Sequence, residues 1–149
     1  MTTILLADDD EAMRILLEGV LAGEHYRVVL ADNGYEAIKQ CLAATPDLLL
    51  LDGHIPNEES AATLQFIHCL EPGLPVILFT RGPHSDQGAA GTVDAFLEKP
   101  LDLALLLQTI KQLLEESTAE RFARRMDPEF LRLREETPGP LPFDPIVNR

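Results

Sequence analysis

Short aliphatic runs alternate with amphipathic stretches along most of the chain. The runs lie at residues 3–7, 27–31, 48–51, 76–79 and 95–97. They lack a regular polar alternation, which is typical of strands that are buried on both faces of a sheet. Because a stretch with helical spacing follows each run, we expect a doubly wound α/β fold. Its parallel sheet should have right-handed crossovers and helices on both faces.

Apolar residues at intervals of three and four predict the helices between these strands. The first is capped by Asp10 and keeps its apolar spacing as far as Leu21. The others are predicted at residues 35–44, 60–70, 85–90 and 102–116. The helix at 85–90 is the weakest prediction, because glycine is abundant around it and disfavours helix formation.

The C-terminal segment differs from the rest of the chain in charge and composition. Residues 118–149 hold six arginines and six acidic residues, so residues 1–117 carry the whole net charge of −13. We expect residues 120–126 to extend the last helix and another helix to begin at Asp127 and Pro128. The proline-rich segment 137–142 excludes regular structure. The predicted organisation is a domain at 1–117, followed at 118–149 by a helical extension and a proline-rich linker or tail.

Composition and charge exclude several classes of protein. The longest aliphatic run, residues 48–51, is too short to cross a membrane, and the N-terminus lacks the features of a secretory signal. The two cysteines provide no disulfide framework. A surface this acidic repels phosphate backbones, which argues against direct nucleic-acid binding and favours a cation or a basic partner. We expect a cytoplasmic protein without a membrane partner.

Residues suited to metal or phosphate chemistry follow four of the five predicted strands. They are Asp8 and Asp9, Asp52, Thr80 and Lys99. Each one alone has an ordinary structural explanation, such as a turn residue or a helix cap. In a parallel sheet, however, the four strand ends meet at the edge where ligands of open α/β sheets bind. The combination therefore predicts a binding site at this edge.

Five segments of the sequence resemble the receiver domain of two-component response regulators, in the same order. They are 4–10 (ILLADDD), 32–37 (DNGYEA), 46–56 (PDLLLLDGHIP), 79–80 (FT) and 96–100 (FLEKP). The resemblance covers residues 3 to about 116. It implies a flavodoxin-like sheet with strand order 2-1-3-4-5.

The resemblance also implies a role for each residue of the site. Asp52 is expected to be the phosphoacceptor, a nucleophile that attacks the phosphohistidine of a sensor histidine kinase. Asp9 and Asp52 are expected to bind Mg²⁺ or Mn²⁺ directly, together with the backbone carbonyl of His54. Asp8 is expected to act on the metal through water.

Three further roles follow from the same resemblance. Thr80 is expected to donate a hydrogen bond to the phosphoryl group, and Lys99 to pair with it. Thr80 and Phe96, at the aromatic position of the fifth strand, are expected to act as the switch residues. The chain would then be a signalling switch that catalyses only its own phosphorylation and dephosphorylation.

The sequence departs from the family pattern at three places. Arg81 follows Thr80, where the family has a small residue. It has two interpretations: a side chain that faces solvent, or a guanidinium that covers the phosphoryl group and slows its hydrolysis. Residues 57–60 replace a glycine-rich loop, and the interval between Thr80 and Lys99 is shorter by about one helical turn.

The expected partners are a sensor histidine kinase or a phosphotransfer protein, an output domain or effector, and a second copy of the chain on phosphorylation. The departures leave open a receiver-like interaction module that works without phosphorylation. A receiver that forms the regulatory part of a longer regulator is also open, because residues 143–149 faintly resemble the entry segment of diguanylate cyclase domains. An unrelated Mg²⁺ phosphohydrolase is disfavoured, since the sequence has no glycine-rich phosphate loop.

Overall fold

The computed structural model describes residues 1–54, 59–81 and 93–127. They include the strands β1 (Thr3–Ala7), β2 (Arg27–Ala31), β3 (Leu48–Asp52), β4 (Val76–Thr80) and β5 (Ala95–Glu98). All neighbouring strands are parallel, and their order across the sheet is β2-β1-β3-β4-β5. This confirms the predicted doubly wound fold and the strand order 2-1-3-4-5.

The helices of the described residues are α1 (Glu11–Gly23), α2 (Gly34–Ala44), α3 (Glu59–Leu70), α4 (Leu103–Glu115) and α5 (Thr118–Arg125). Polar side chains cap the first turns of four of them: Asp10, Asn33 and Asp102 accept backbone N–H groups of α1, α2 and α4, and Ser117 does the same for α5. The helices predicted at residues 85–90 and after Asp127, and the proline-rich segment 137–142, lie outside the described residues.

The core consists of two apolar layers, one on each face of the sheet. Alternate residues of the central strands point to opposite faces, so Leu5 and Leu49 pack with α2 and α3, whereas Ile4 and Leu50 pack with α1 and α4. Every residue of β1, β3 and β4 is buried. This explains why their sequences are nearly continuous aliphatic runs.

The prediction that residues 120–126 extend the last helix is wrong. Helix α4 stops at Glu115, and the backbone of Glu116 is extended with ψ of 132°. Ser117 then begins a separate helix through a capping box: its hydroxyl accepts the N–H of Glu120, and the Glu120 carboxylate accepts the N–H of Ser117. The serine and the glutamate three residues later were the sequence signal for this start.

Helix α5 packs on the domain through buried arginines rather than through an apolar stripe. Arg125 is 3% exposed and donates two hydrogen bonds of 2.9 Å to the carboxylate of Asp94, just before β5. Arg121 is 6% exposed and donates to the carbonyl oxygens of Gly73 and Leu113. These contacts lie at the edge of the sheet where β4 and β5 begin, opposite the strand ends that carry the predicted site.

Candidate functional site

Three carboxylates converge where β1 and β3 end. The parallel register pairs Ala7 with Leu51, so the residues that follow β1 lie beside Asp52, the last residue of β3. One carboxylate oxygen each from Asp8, Asp9 and Asp52 lies within 4.8 Å of the others. Asp8 and Asp52 are fully buried, whereas the side chain of Asp9 is 35% exposed. The cluster therefore has a buried side and a side open to solvent.

The two carboxylate oxygens of Asp52 have different environments. Oδ1 accepts a hydrogen bond of 3.1 Å from the backbone N–H of His54. Oδ2 is buried and has no hydrogen-bond partner among the described residues. A buried anionic oxygen without a hydrogen bond is costly, so it is the atom of this site most in need of a further ligand.

The pKa of Asp52 is raised above its ordinary value, mainly by burial and then by the negative charge of Asp8. Lys99, the N–H of His54 and Arg81 act in the opposite direction and offset only part of this rise. The carboxylate of Asp52 is therefore destabilised by its surroundings, which favours binding of a cation.

Lys99 brings a positive charge to the buried side of the cluster. Its Nζ donates a hydrogen bond of 2.9 Å to Oδ2 of Asp8 and lies 3.6 Å from Oδ2 of Asp52. Its side chain is 13% exposed, and the ammonium group lies 5.9 Å from the centre of the Phe79 ring. The amine is thus held in a fixed place next to the Asp52 oxygen that accepts no hydrogen bond.

Arg81 brings a second positive charge, on the open side. Its guanidinium lies 3.5 Å from Oδ2 of Asp52 and 3.8 Å from Oδ1 of Asp9, while its side chain is 49% exposed. Of its two interpretations, the structure favours a guanidinium that faces the site over a side chain directed only into solvent. Its effect on hydrolysis stays a prediction.

Thr80 and Phe96 lie on the adjacent strands β4 and β5, with Thr80 opposite Glu98 and Phe96 opposite Leu78. Thr80 is the last residue of β4, and its carbonyl accepts the N–H of Lys99 at 2.7 Å, which joins the ends of β4 and β5. Phe96 is partly buried and packs against the apolar layer that contains Leu5 and Leu49. The switch roles that the resemblance implies for Thr80 and Phe96 remain predictions, as does the metal-binding role of the His54 carbonyl.

Sequence reasoning missed two residues that shape the site. The hydroxyl of Ser60 donates a hydrogen bond of 2.7 Å to the carbonyl of Asp52 and ties the start of α3 to the end of β3. The N–H of Gly53 bonds to the carbonyl of Phe79, and a Cβ atom on Gly53 would lie only 3.0 Å from that oxygen. Gly53 was visible in the sequence, but the partners of both residues are set by tertiary contacts.

The donor set fits a hard divalent cation. Mg²⁺ prefers oxygen ligands and keeps several waters, so two or three carboxylates that include a buried oxygen without a hydrogen bond are a suitable protein contribution. Two carboxylates 4 Å apart repel each other by about 4 kcal/mol at an effective dielectric of 20. A divalent ion bound between them would offset this repulsion and so stabilise the site.

Comparison with known proteins agrees with this geometry. A family model described as the response regulator receiver domain matches residues 4–111. The chain belongs to this family. Among curated relatives, the transcriptional regulatory protein ZraR of Salmonella typhimurium is 33% identical over 115 residues, and the DNA-binding transcriptional regulator NtrC of Escherichia coli is 37% identical over 106 residues.

These relatives are longer regulators. The ZraR match covers 74% of this chain and 26% of that protein, and the NtrC match covers 67% and 22%. The chain thus spans about a quarter of the length of these relatives. A solved structure of a CheY-like receiver domain protein from Methanospirillum hungatei superposes with a TM-score of 0.70 at 27% identity, covering 77% of this chain and 94% of that one.

The receiver assignment confirms the predicted class, a component of two-component signalling. In the described part of the receiver, no helix is both long and apolar enough to span a membrane. The position of the boundary at residue 117 stays a prediction, and helix α5 beyond it contacts the receiver directly.

Proposed function

We propose that this receiver is a Mg²⁺-dependent phosphoacceptor, phosphorylated on Asp52 by a sensor histidine kinase or a phosphotransfer protein. The observation that carries the proposal is the buried Oδ2 of Asp52, which has no hydrogen bond within the described residues and lies 3.6 Å from Nζ of Lys99. Phosphoryl transfer depends mainly on positioning of the reactants and on neutralising the charge of the phosphoryl oxygens. The His54 N–H helps to fix the Asp52 carboxylate, and Lys99 supplies a positive charge beside Oδ2.

The transfer is a single displacement at phosphorus. Oδ2 of Asp52 attacks, a P–O bond forms, and the P–N bond to the donor histidine breaks, so the imidazole leaves and takes a proton. Lys99 pairs with the phosphoryl oxygens, and the hydroxyl of Thr80 donates to one of them. Asp9 and Asp52 would hold Mg²⁺ directly together with the His54 carbonyl, and Asp8 would hold it through water; the ion would supply charge neutralisation when bound.

Hydrolysis resets the switch. Water attacks the phosphorus, the P–O bond to Asp52 breaks, and inorganic phosphate leaves while the carboxylate is restored. Between the two reactions, Thr80 and Phe96 change their positions and pass the signal to the output surface. The receiver therefore acts on itself and has no separate metabolic substrate.

We propose further that the receiver is the regulatory part of a longer regulator or acts on a separate effector. The short share of each curated relative that it spans supports this view. DNA binding by NtrC belongs to that protein. The acidic charge of residues 1–117 argues against direct nucleic-acid contacts here.

Incubation with a small phosphodonor and Mg²⁺ tests the proposal. Intact mass spectrometry should show one added phosphoryl group on the wild type and none on Asp52→Asn. Glu18→Gln, an exposed change on α1, serves as the matched control and should be labelled like the wild type. Equal labelling of Asp52→Asn would refute the assignment of the acceptor.

A receiver-like module that works without phosphorylation is the second candidate, because the guanidinium of Arg81 lies against Oδ2 of Asp52. It predicts no labelling of the wild type at millimolar Mg²⁺, and labelling excludes it.

A further inference from the structure

Arg81 stands on the side of the acidic cluster through which a cation from solvent would enter. The side chains of Arg81 and Asp9 are 49% and 35% exposed, whereas Asp8 and Asp52 are fully buried. The guanidinium lies between the two carboxylates, 3.5 Å from Asp52 and 3.8 Å from Asp9. It therefore faces two of the three carboxylates of the cluster.

The position of Arg81 changes the total charge of the acidic cluster. The three carboxylates carry −3, and Lys99, which is hydrogen-bonded to Asp8, reduces the sum to −2. That sum matches the charge of a divalent cation. The guanidinium of Arg81 reduces the sum to −1, so Arg81 already neutralises part of the negative charge that would attract a divalent cation.

We propose that Arg81 is a built-in competitor of the divalent cation: its guanidinium pairs with Asp9 and Asp52 in the resting receiver and must withdraw before the ion binds. This inference rests on the proposed function. Withdrawal is feasible because the side chain is long and half exposed, and its pairing distances exceed those of direct hydrogen bonds. The receiver would thus bind Mg²⁺ more weakly than its carboxylates alone would allow.

Lys99 differs from Arg81 in this respect. It is 13% exposed and donates a 2.9 Å hydrogen bond to Asp8, so its position is fixed. The half-exposed cation on the open side and the nearly buried one on the other side have different tasks: Lys99 compensates the buried acids permanently, and Arg81 compensates the open side only until an ion arrives.

Isothermal titration calorimetry with MgCl₂ at constant ionic strength tests the competition. We expect Arg81→Ala and Arg81→Gln to bind Mg²⁺ about tenfold more tightly than the wild type, equivalent to about 1.4 kcal/mol. Gln keeps most of the side-chain length without the charge. Arg27→Ala changes the net charge equally at the exposed start of β2 and should leave the affinity unchanged.

Each other outcome overturns the inference. Unchanged or weaker binding by Arg81→Ala excludes competition. Tighter binding by Arg81→Ala but not by Arg81→Gln makes the effect one of bulk rather than charge. Equal tightening by Arg27→Ala makes it a general effect of net charge. If Mg²⁺ binds no variant and the phosphodonor labels none, the proposed function fails as well, whereas normal labelling with unchanged affinities removes only the role of Arg81.

Discussion

The ammonium group of Lys99 donates a hydrogen bond of 2.9 Å to Oδ2 of Asp8, across 91 residues of sequence. The same group lies 3.6 Å from Oδ2 of Asp52. One nearly buried cation thus compensates two fully buried carboxylates, one directly after β1 and one at the end of β3. The integrity of the site and the stability of the sheet edge therefore depend on the same side chain.

Replacing Lys99 by Met should lower the free energy of unfolding by about 3 kcal/mol at pH 7, because it leaves two buried negative charges without their compensating cation. Urea denaturation measures the loss. Lys111→Met removes the same charge from an exposed position of α4 and should cost less than about 0.5 kcal/mol. Equal losses for the two variants would contradict the compensating role of Lys99.

Replacing Asp52 by Asn should stabilise the metal-free fold at pH 7. Burial and the charge of Asp8 raise the pKa of Asp52 in the folded state above its ordinary value of 3.8. The folded protein therefore binds the proton more tightly than the unfolded chain does. Ionisation of Asp52 lowers the free energy of unfolding as the pH rises from 3.8 through the raised pKa of the folded state. The gain from Asp52→Asn should be present at neutral pH and vanish below pH 3.8.

Urea denaturation in a chelating buffer at several pH values checks this dependence. A gain that is the same at all pH values would mean that packing, not charge, is responsible. A loss of stability at pH 7 would mean that Lys99 and Arg81 compensate Asp52 fully.

Mg²⁺ should raise the stability of the wild type. Binding to the folded state alone adds about 2.7 kcal/mol at a concentration one hundred times the dissociation constant. Asp9→Asn removes a half-exposed ligand without disturbing the core and should abolish most of this gain, whereas the exposed Glu18→Gln should keep it. A melting temperature that does not change across a millimolar Mg²⁺ titration would argue against a metal site.

Helix α5 should contribute to the stability of the receiver through Arg125. Burial would raise the pKa of Asp94, but the hydrogen bonds and charges of Arg125 and Arg124 outweigh it and hold the pKa below its ordinary value. The ionised Asp94 therefore stabilises the fold above pH 3.8, and this contribution is lost as the pH falls through the folded-state pKa.

Arg125→Ala should accordingly cost about 2 kcal/mol at pH 7, since it removes two hydrogen bonds to a buried carboxylate and leaves Arg124 as its remaining arginine partner. The cost should shrink below pH 3.8, and the exposed Arg27→Ala should show no comparable loss in the same urea titrations. An equally small effect of both variants would show that α5 is only loosely attached and would favour a domain boundary at residue 117.

Most of the fold and the place of the site follow from local sequence patterns. Buried parallel strands are nearly continuous aliphatic runs, and the residue types at their ends place Asp52 and Lys99 at one edge of the sheet. The direction of the Arg81 side chain could not be predicted, because this half-exposed guanidinium is placed by charges at the ends of two other strands, at Asp9 after β1 and at Asp52 in β3.

The C-terminal helix shows another limit of sequence patterns. An apolar stripe predicts the buried face of a helix, but α5 buries Arg121 and Arg125 and leaves Phe122 41% exposed. The buried carboxylate and carbonyl oxygens that accept the arginine hydrogen bonds come from other elements, such as Asp94 and the turn after α3. Periodicity along one helix carries no information about them.

Chemical trapping of the acyl phosphate tests the central claim most directly. After incubation with a small phosphodonor and Mg²⁺, borohydride reduces an aspartyl phosphate to homoserine, and peptide mass spectrometry locates the converted residue. We predict homoserine at position 52 in the wild type, dependent on Mg²⁺ and absent from Asp52→Asn. Conversion at Asp8 or Asp9 instead, or no conversion at any aspartate, would contradict the account.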